Sequence, residues 1–311
     1  MVEMYKTVDN QVKKLENFED GAWINVTSPT TEEIQQLKDK FKIETTYLTA
    51  VTDEEERSRI EVNDEGQTLV VIDIPSIEKQ GEVIVYSTVP LGIIMLPNAI
   101  ITVCSEENSV INDFSSGRIK GFYTNFKNRF VLQILYRVAY TFVRYLRHID
   151  KITERVEKQL YKSMGNDELL DLLALEKSMV YFSTSLKSNE LVLEKMLKLE
   201  YLKQYPDDME LLEDVIIENK QAIEMTNIFT GILSGTMDTF ASIISNNVNN
   251  VMKFLTSVTI LITIPTLVSS IYGMNVNLPF QNNPYAFYIV MGIALVVSVV
   301  PIFFLYKRRM F

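Results

Sequence analysis

The chain is 311 residues long, 47% hydrophobic, and carries 40 Asp and Glu against 30 Lys and Arg, a net charge of −10. Charge of that sign excludes a nucleic-acid partner and suits cations. The single cysteine, Cys104, rules out an intramolecular disulfide and points to a reducing compartment, and with His148 the only histidine no thiolate and imidazole metal centre fits within one subunit.

At the N-terminus, MVEMYKTVDNQVKK has no apolar core of signal-peptide length. Short apolar or β-branched runs at Ala22 to Val26, Leu69 to Ile74, Val83 to Val89, Gly92 to Leu96 and Ile100 to Val103, bounded by Gly, Pro and Asn, predict strands. Ser28-Pro29-Thr30-Thr31-Glu32-Glu33 predicts a helix start with Thr30 and Glu33 spaced as a capping box, and a second short helix is expected over Thr45 to Val51. The economical architecture is a sheet flanked by helices. The acidic run Asp53 to Glu56 reads either as a solvated loop or helix end, or as part of an inter-subunit cation site.

From about Thr124 the texture becomes helical. Phe130, Ile134, Val138, Phe142 and Tyr145 share one face of a helix running to about Tyr161, and Met164-Gly165-Asn166 breaks it. The next helix runs from Asp167 to about Leu202 and stops before Tyr205-Pro206. Short connections imply an antiparallel pair followed by a third, longer helix. His148 falls in a helical, positively charged neighbourhood, a poor setting for histidine-based catalysis.

That third helix organises the rest. It reads without interruption from Pro206, where a missing N–H is harmless, to Asn275, with Asp207, Asp208 and Glu210 at the favourable end of the helix dipole. Taken to Tyr272 it is roughly 100 Å long at about 1.5 Å per residue. In its first part Leu212, Val215, Ala222, Phe229, Leu233, Phe240 and Ile243 form a seam for packing. After residue 250 the only charged side chains are Lys253, Lys307, Arg308 and Arg309, so Val251 to Ile271 reads as a membrane span. One face of the rod carries Ser245, Asn249, Met252, Thr256, Thr259, Thr263, Thr266 and Ser270 at steps of 4, 3, 4, 3, 4, 3 and 4. Lipid offers hydroxyls no partner, so this face either bonds its own backbone or meets other helices around a wet pore. An uncharged loop, Val276 to Pro284, separates the rod from a second apolar span, Tyr285 to Tyr306, and the basic end that follows predicts a cytoplasmic C-terminus.

Tyr272-Gly273-Met274-Asn275 stands at the outer end of the first span. With a long helix before it, a short loop and second span after it, and a basic tail, the chain resembles the CorA family of divalent-cation channels. The resemblance implies a homopentameric funnel in the plasma membrane with both termini cytoplasmic: an α+β cytoplasmic domain, stalk helices and two C-terminal transmembrane helices. The segments expected are an α/β domain over 1–120, a helical hairpin over 121–205, a stalk over 206–250 and a pore-lining span over 251–275. An external loop over 276–284, a second span over 285–306 and a basic tail over 307–311 complete them. The implied cargo is Mg²⁺, with Co²⁺ and Ni²⁺ carried by some members, and Mg²⁺ is implied as a regulator.

On that resemblance Gly273, Met274 and Asn275 form the selectivity ring, and Thr266, Thr263, Thr259, Thr256 and Asn249 line the pore. Met252 and Leu255 form the hydrophobic gate, with ordinary helix packing as the other reading of that pair; Gly273 and Asn275 equally suit a plain helix stop. Asp214 and Asp238 fall on the family's acidic stalk pattern. The partner carboxylate follows the short helix in the family, where this chain has Thr49-Ala50-Val51-Thr52 and then Asp53 and Glu54, which are expected to substitute. The external loop lacks acidic residues and Pro265 sits beside Thr266, two departures from the family pattern. No Walker loop and no nucleophile and base with a local signature is present, so no enzyme is expected. The rival readings are a sister transporter for Zn²⁺ or Co²⁺ and a membrane-anchored scaffold, which would tolerate loss of the hydroxyl stripe.

Overall fold

The computed structural model describes residues 1–53, 56–80, 83–163, 166–199, 205–276, 279 and 283–307. Of the sequence expectations, Glu54, the Met164-Gly165 break, Leu202, parts of the 276–284 loop and Arg308-Arg309 lie outside the described residues, and the helix expected to run to about Leu202 already stops at Met196. The chain forms two compact units, Met1–Met237 and Asp238–Phe311.

The first unit is built on a seven-stranded sheet: β1 (Val2–Val8), β2 (Gln11–Leu15), β3 (Ala22–Thr27), β4 (Arg59–Val62), β5 (Thr68–Gln80), β6 (Val83–Met95) and β7 (Ala99–Cys104), in the order β2-β1-β3-β7-β6-β5-β4. Every neighbouring pair is antiparallel except β3 with β7. Two of the predicted runs, Val83 to Val89 and Gly92 to Leu96, are one strand, β6. Pro90 interrupts the pattern but not the strand, because pairing with β7 begins only at Leu91, so no ladder bond is asked of the missing N–H on that flank. Strands β1, β2 and β4 form where the sequence shows no apolar run. The signal for the first two was Asp9-Asn10, both with positive φ (51° and 61°), which is the backbone of a two-residue hairpin turn. Lys13 and Lys14 on β2 keep that edge from recruiting another strand.

Alternation along the strands directs side chains to two helical layers. Ile24, Val26, Val71, Ile94, Ile101 and Val103 pack with Leu37 of α1 (Thr31–Phe41) and Tyr47, Leu48 and Val51 of α2 (Thr45–Ala50) and its C-cap. The capping box at the start of α1 is formed in full: Glu33 N–H donates to Thr30 Oγ1 at 3.2 Å and Thr30 N–H to Glu33 Oε2 at 3.0 Å. On the opposite face Trp23 meets Phe130 edge-on at 5.3 Å and donates Nε1–H to Thr102 Oγ1 at 2.8 Å, satisfying a fully buried indole. That face is covered by α3 (Ser109–Ser115), α4 (Lys127–Ser163) and α5 (Asn166–Met196). Phe142 of α4 packs edge-on against Phe182 of α5 at 5.0 Å, as the antiparallel pair requires, and Tyr86 of β6 packs against the same Phe182 at 6.2 Å.

Helix α6 (Pro206–Tyr272) starts where Pro206 predicts. Within the first unit its seam is buried at Leu212, Val215, Ala222 and Leu233, and also at Asn219 and Thr226. Those two polar positions complete the heptad because each bonds a carbonyl: Asn219 Nδ2 donates to Leu186 O at 3.1 Å and Thr226 Oγ1 to Ala222 O at 2.8 Å. Two further bonds join α6 to the helical pair, from Ser234 Oγ to Glu176 Oε1 (3.0 Å) and from Thr236 Oγ1 to Glu157 Oε1 (2.7 Å).

The second unit comprises the rest of α6 and α7 (Ala286–Lys307). An 18-residue window of α6 has a mean hydropathy of 1.9, yet only 6% of it is buried. Apolarity on that scale without burial separates a membrane helix from the core helix of a soluble domain. The described stretch Ala286–Val300 of α7 is apolar throughout.

Candidate ion pathway

The second half of α6 has two unlike faces. Ser257 is buried and Ile260, Ile264, Val268 and Tyr272 are half-buried, a strip at helical spacing; α7 has its own such strip at Ala286, Val290, Ala294 and Ser298. The hydroxyl stripe lies away from the α6 strip: Ser245, Asn249, Thr256, Thr259, Thr263, Thr266 and Ser270 are all exposed. Met252 and Leu255, each 55% exposed, are as open as the hydroxyls beside them. Ordinary packing within one chain therefore does not account for these two apolar side chains.

The threonine protons point inward along the helix. Thr259 Oγ1 donates to Leu255 O at 2.8 Å, Thr263 Oγ1 to Thr259 O at 2.7 Å and Thr266 Oγ1 to Ile262 O at 2.8 Å. This is the local back-bonding open to any helical threonine, and it leaves the oxygen lone pairs as the outward-facing chemistry.

Helix α6 ends at Tyr272, short of the Asn275 expected from the sequence. Gly273 N–H donates to Ser269 O at 2.9 Å and Met274 N–H to Ile271 O at 3.2 Å, so the last turn continues into the motif. Gly273 is not in the left-handed conformation that usually places glycine at a helix end. A Cβ there would stand 3.3 Å from Ser269 O, crowding the terminal carbonyls. Met274 and Asn275 are exposed beyond it.

The acidic candidates are apart from this stretch. Asp214 on α6 and Asp53 after α2 belong to the first unit, Asp238 opens the second, and all three are exposed. Among the described residues no three His, Cys, Asp or Glu side chains gather closely enough to hold a metal ion. Among the described residues Asp53, Asp214 and Asp238 therefore do not share one metal site within a chain.

An α/β body followed by a 67-residue helix, whose far end is apolar yet exposed and carries a stripe of hydroxyls, is the build of a membrane-embedded transport protein. Residues 18–308 match the CorA-like Mg2+ transporter protein family, and the chain belongs to that family. The Cobalt/magnesium transport protein CorA of Methanocaldococcus jannaschii is 31% identical over 306 residues, covering 94% of this chain and 92% of that protein. The complete structure of the CorA magnesium transporter from the same organism superposes with a TM-score of 0.82 at 27% identity, over 99% of this chain and 98% of that one. The ZntB cytoplasmic domain from Vibrio parahaemolyticus shares the fold, with a TM-score of 0.62 at 10% identity over 78% of this chain and 98% of that one.

Proposed function

We propose that five copies of this chain surround one pore that passes hydrated Mg²⁺ passively into the cell. The observation carrying this reading is the exposed stripe of hydroxyls, Thr256, Thr259, Thr263 and Thr266, on a helix that is otherwise apolar there. Thr259, Thr263 and Thr266 give their protons to their own backbone, as any helical threonine can, and the oxygen lone pairs that remain are acceptors. Waters held by Mg²⁺ are donors, and the ion surrenders them reluctantly. Rings of Thr266, Thr263, Thr259 and Thr256 would therefore hold the hydrated ion through its water, with Asn275 amides as the selecting ring, Gly273 and Met274 supporting it, and Asn249 as a polar ring at the other end. Neutral oxygens bind weakly enough for the ion to leave. Co²⁺ and Ni²⁺, also divalent and hydrated, are the further cargo.

Met252 and Leu255 form the gate in this reading: five apolar rings in a narrow pore exclude water and close it without a lid. Asp214, Asp238 and Asp53, with Glu54, are the carboxylates offered to a regulatory Mg²⁺ between neighbouring chains. In this reading both termini are cytoplasmic and the uncharged loop lies outside; Tyr285, Phe287 and Tyr288, exposed at the start of α7, suit interfacial aromatics. No fuel is required, since a divalent ion gains about 4.6 kcal/mol across roughly 100 mV, twice the single-charge value.

The test is Mg²⁺ uptake into liposomes holding the purified protein, at zero and at inside-negative potential, with Asn275→Ala alongside. Potential-dependent uptake that disappears in the variant is the expected result. A folded wild-type oligomer that moves Zn²⁺ but not Mg²⁺ would replace this reading with the sister transporter, and one silent for every cation with the anchored scaffold.

A further inference from the structure

The first unit contains a cleft of about 430 Å³ lined by Tyr140, Arg144, Arg147, His148 and Lys151 of α4 and Glu218 of α6. Arg144, Arg147 and Lys151 follow each other at i, i+3 and i+7, so three cations crowd two turns of one helix, an arrangement that weakens a helix on its own. None of the three forms an ion pair among the described residues, and Glu218 is the only carboxylate in the lining. Such a cluster is out of character in a chain of net charge −10. The cleft contrasts with a larger one, about 560 Å³, between Asn125–Arg129 and Tyr205–Asp208, where Arg129 is already paired with Asp208 at 3.3 Å.

Two of the cleft's groups are held in place. The Arg144 guanidinium lies 5.3 Å from the Tyr145 ring centre, and His148 Nδ1 is 2.6 Å from the buried Tyr86 hydroxyl, leaving Nε2 without a partner among the described residues. The site thus presents exposed donors, an excess of positive charge and the volume of a small-molecule site. Arginine and lysine together are the usual reading heads for phosphate oxygens. An inorganic phosphate would leave most of the space empty.

We propose that this cleft binds a nucleoside di- or triphosphate in its metal-free form, with Arg144, Arg147 and Lys151 on the phosphates and Tyr140 beside the nucleoside. The proposal goes beyond ion transport and does not depend on it. Magnesium bound to the phosphates would cancel the charge the cleft attracts, so occupancy rises as free Mg²⁺ falls.

The experiment is isothermal titration of the full-length protein in detergent, in low salt with EDTA, using ATP, ADP and pyrophosphate. ATP is expected to bind tighter than pyrophosphate, to weaken at least tenfold in Arg144→Gln/Arg147→Gln, and to weaken on adding excess Mg²⁺. Glu218→Gln removes the one opposing charge and is expected to tighten ATP several-fold, an effect that damage to the fold cannot imitate. No heat with ATP or ADP, equal affinity for pyrophosphate and ATP, or unchanged binding in the double variant would each overturn the proposal. So would a change of oligomer mass in the double variant with ATP binding intact, which would make the cleft a seam between copies. Because the readout is binding, a transport failure in liposomes leaves this result standing, and the reverse also holds.

Discussion

Gly92 sits in the middle of the sheet, on β6 opposite Val71 of β5 and Val103 of β7, where α2 ends against it. A Cβ at Gly92 would stand 1.9 Å from Val51 Cγ1, 2.5 Å from Val51 Cβ and 3.4 Å from its Cα. Carbon atoms prefer separations of about 3.5–4.0 Å. Rotating the valine removes the first clash but not the second, since the Val51 Cβ is fixed by its backbone. The end of α2 must therefore retreat by about 1 Å in Gly92→Ala, out of a site where Val51 is buried. Overpacking of this kind costs about 1–3 kcal/mol, against which the better strand preference of alanine returns roughly 0.5–1 kcal/mol. The melting temperature is expected to fall by roughly 2–8 °C for a unit of this size.

Urea unfolding followed by the fluorescence of Trp23, the only tryptophan, measures the change directly. The specific signature is coupling. Val51→Gly should destabilise the wild type but cost less in the Gly92→Ala background, because it removes the clashing Cβ as well as Cγ1, with an interaction energy of about 0.5–3 kcal/mol. Simple additivity of the two changes, or a Gly92→Ala protein as stable as wild type, would refute the packing argument. Since Val51 lies two residues before Asp53, the same variant is also expected to alter inhibition by Mg²⁺ if Asp53 takes part in sensing.

Four other outcomes are expected. Asp113 is buried and its burial works to raise its pKa, but Arg137, bonded through Nε at 3.0 Å and through Nη2, and Arg118 at 3.2 Å outweigh this and hold the carboxyl below its usual range. Asp113→Asn is therefore expected to cost about 1.5–3 kcal/mol at neutral pH. With the native pKa depressed, that contribution is complete above the unfolded value near 4 and lost as pH falls through the native one, so the gap between the two proteins should close in acid unfolding curves. Thr263→Val and Thr266→Val remove the outward acceptors and should lower liposome Mg²⁺ flux several-fold while the Ser variants keep it; equal flux in Val and Ser forms would remove the hydroxyls from the pathway. Replacing Met252 and Leu255 together by Gly should raise flux under closing conditions, and unchanged flux would mean that the gate lies elsewhere. Asp214→Ala should shift Mg²⁺ inhibition to higher concentration, read as a displaced dose–response curve.

The sequence by itself determined the elements that depend on local pattern. The capping box at Thr30 and Glu33, the start of α6 at Pro206 and the hydroxyl stripe are each set by residues within one or two helical turns, and all were readable as spacing. Strands β1 and β4 were not, because half-exposed residues such as Val2, Met4 and Ile60 show no run of burial until a neighbour pairs with them. Only the tertiary structure decided that Pro90 lies inside a strand, since harmlessness there depends on where β7 stops. It alone placed Asn219 in a seam that looks apolar from sequence, because its carbonyl partner, Leu186 O on α5, was unknown until the helices came together, whereas Thr226 is satisfied within its own helix. The threonines divide in the same way: sequence put them on one face, but which way each hydroxyl proton points is a matter of side-chain torsion. At Thr259, Thr263 and Thr266 that torsion turns the proton to the backbone. The basic cleft on α4 followed the same course, being visible as Arg144, Arg147 and Lys151 in a row but given its volume and its lone opposing carboxylate only by the approach of α6.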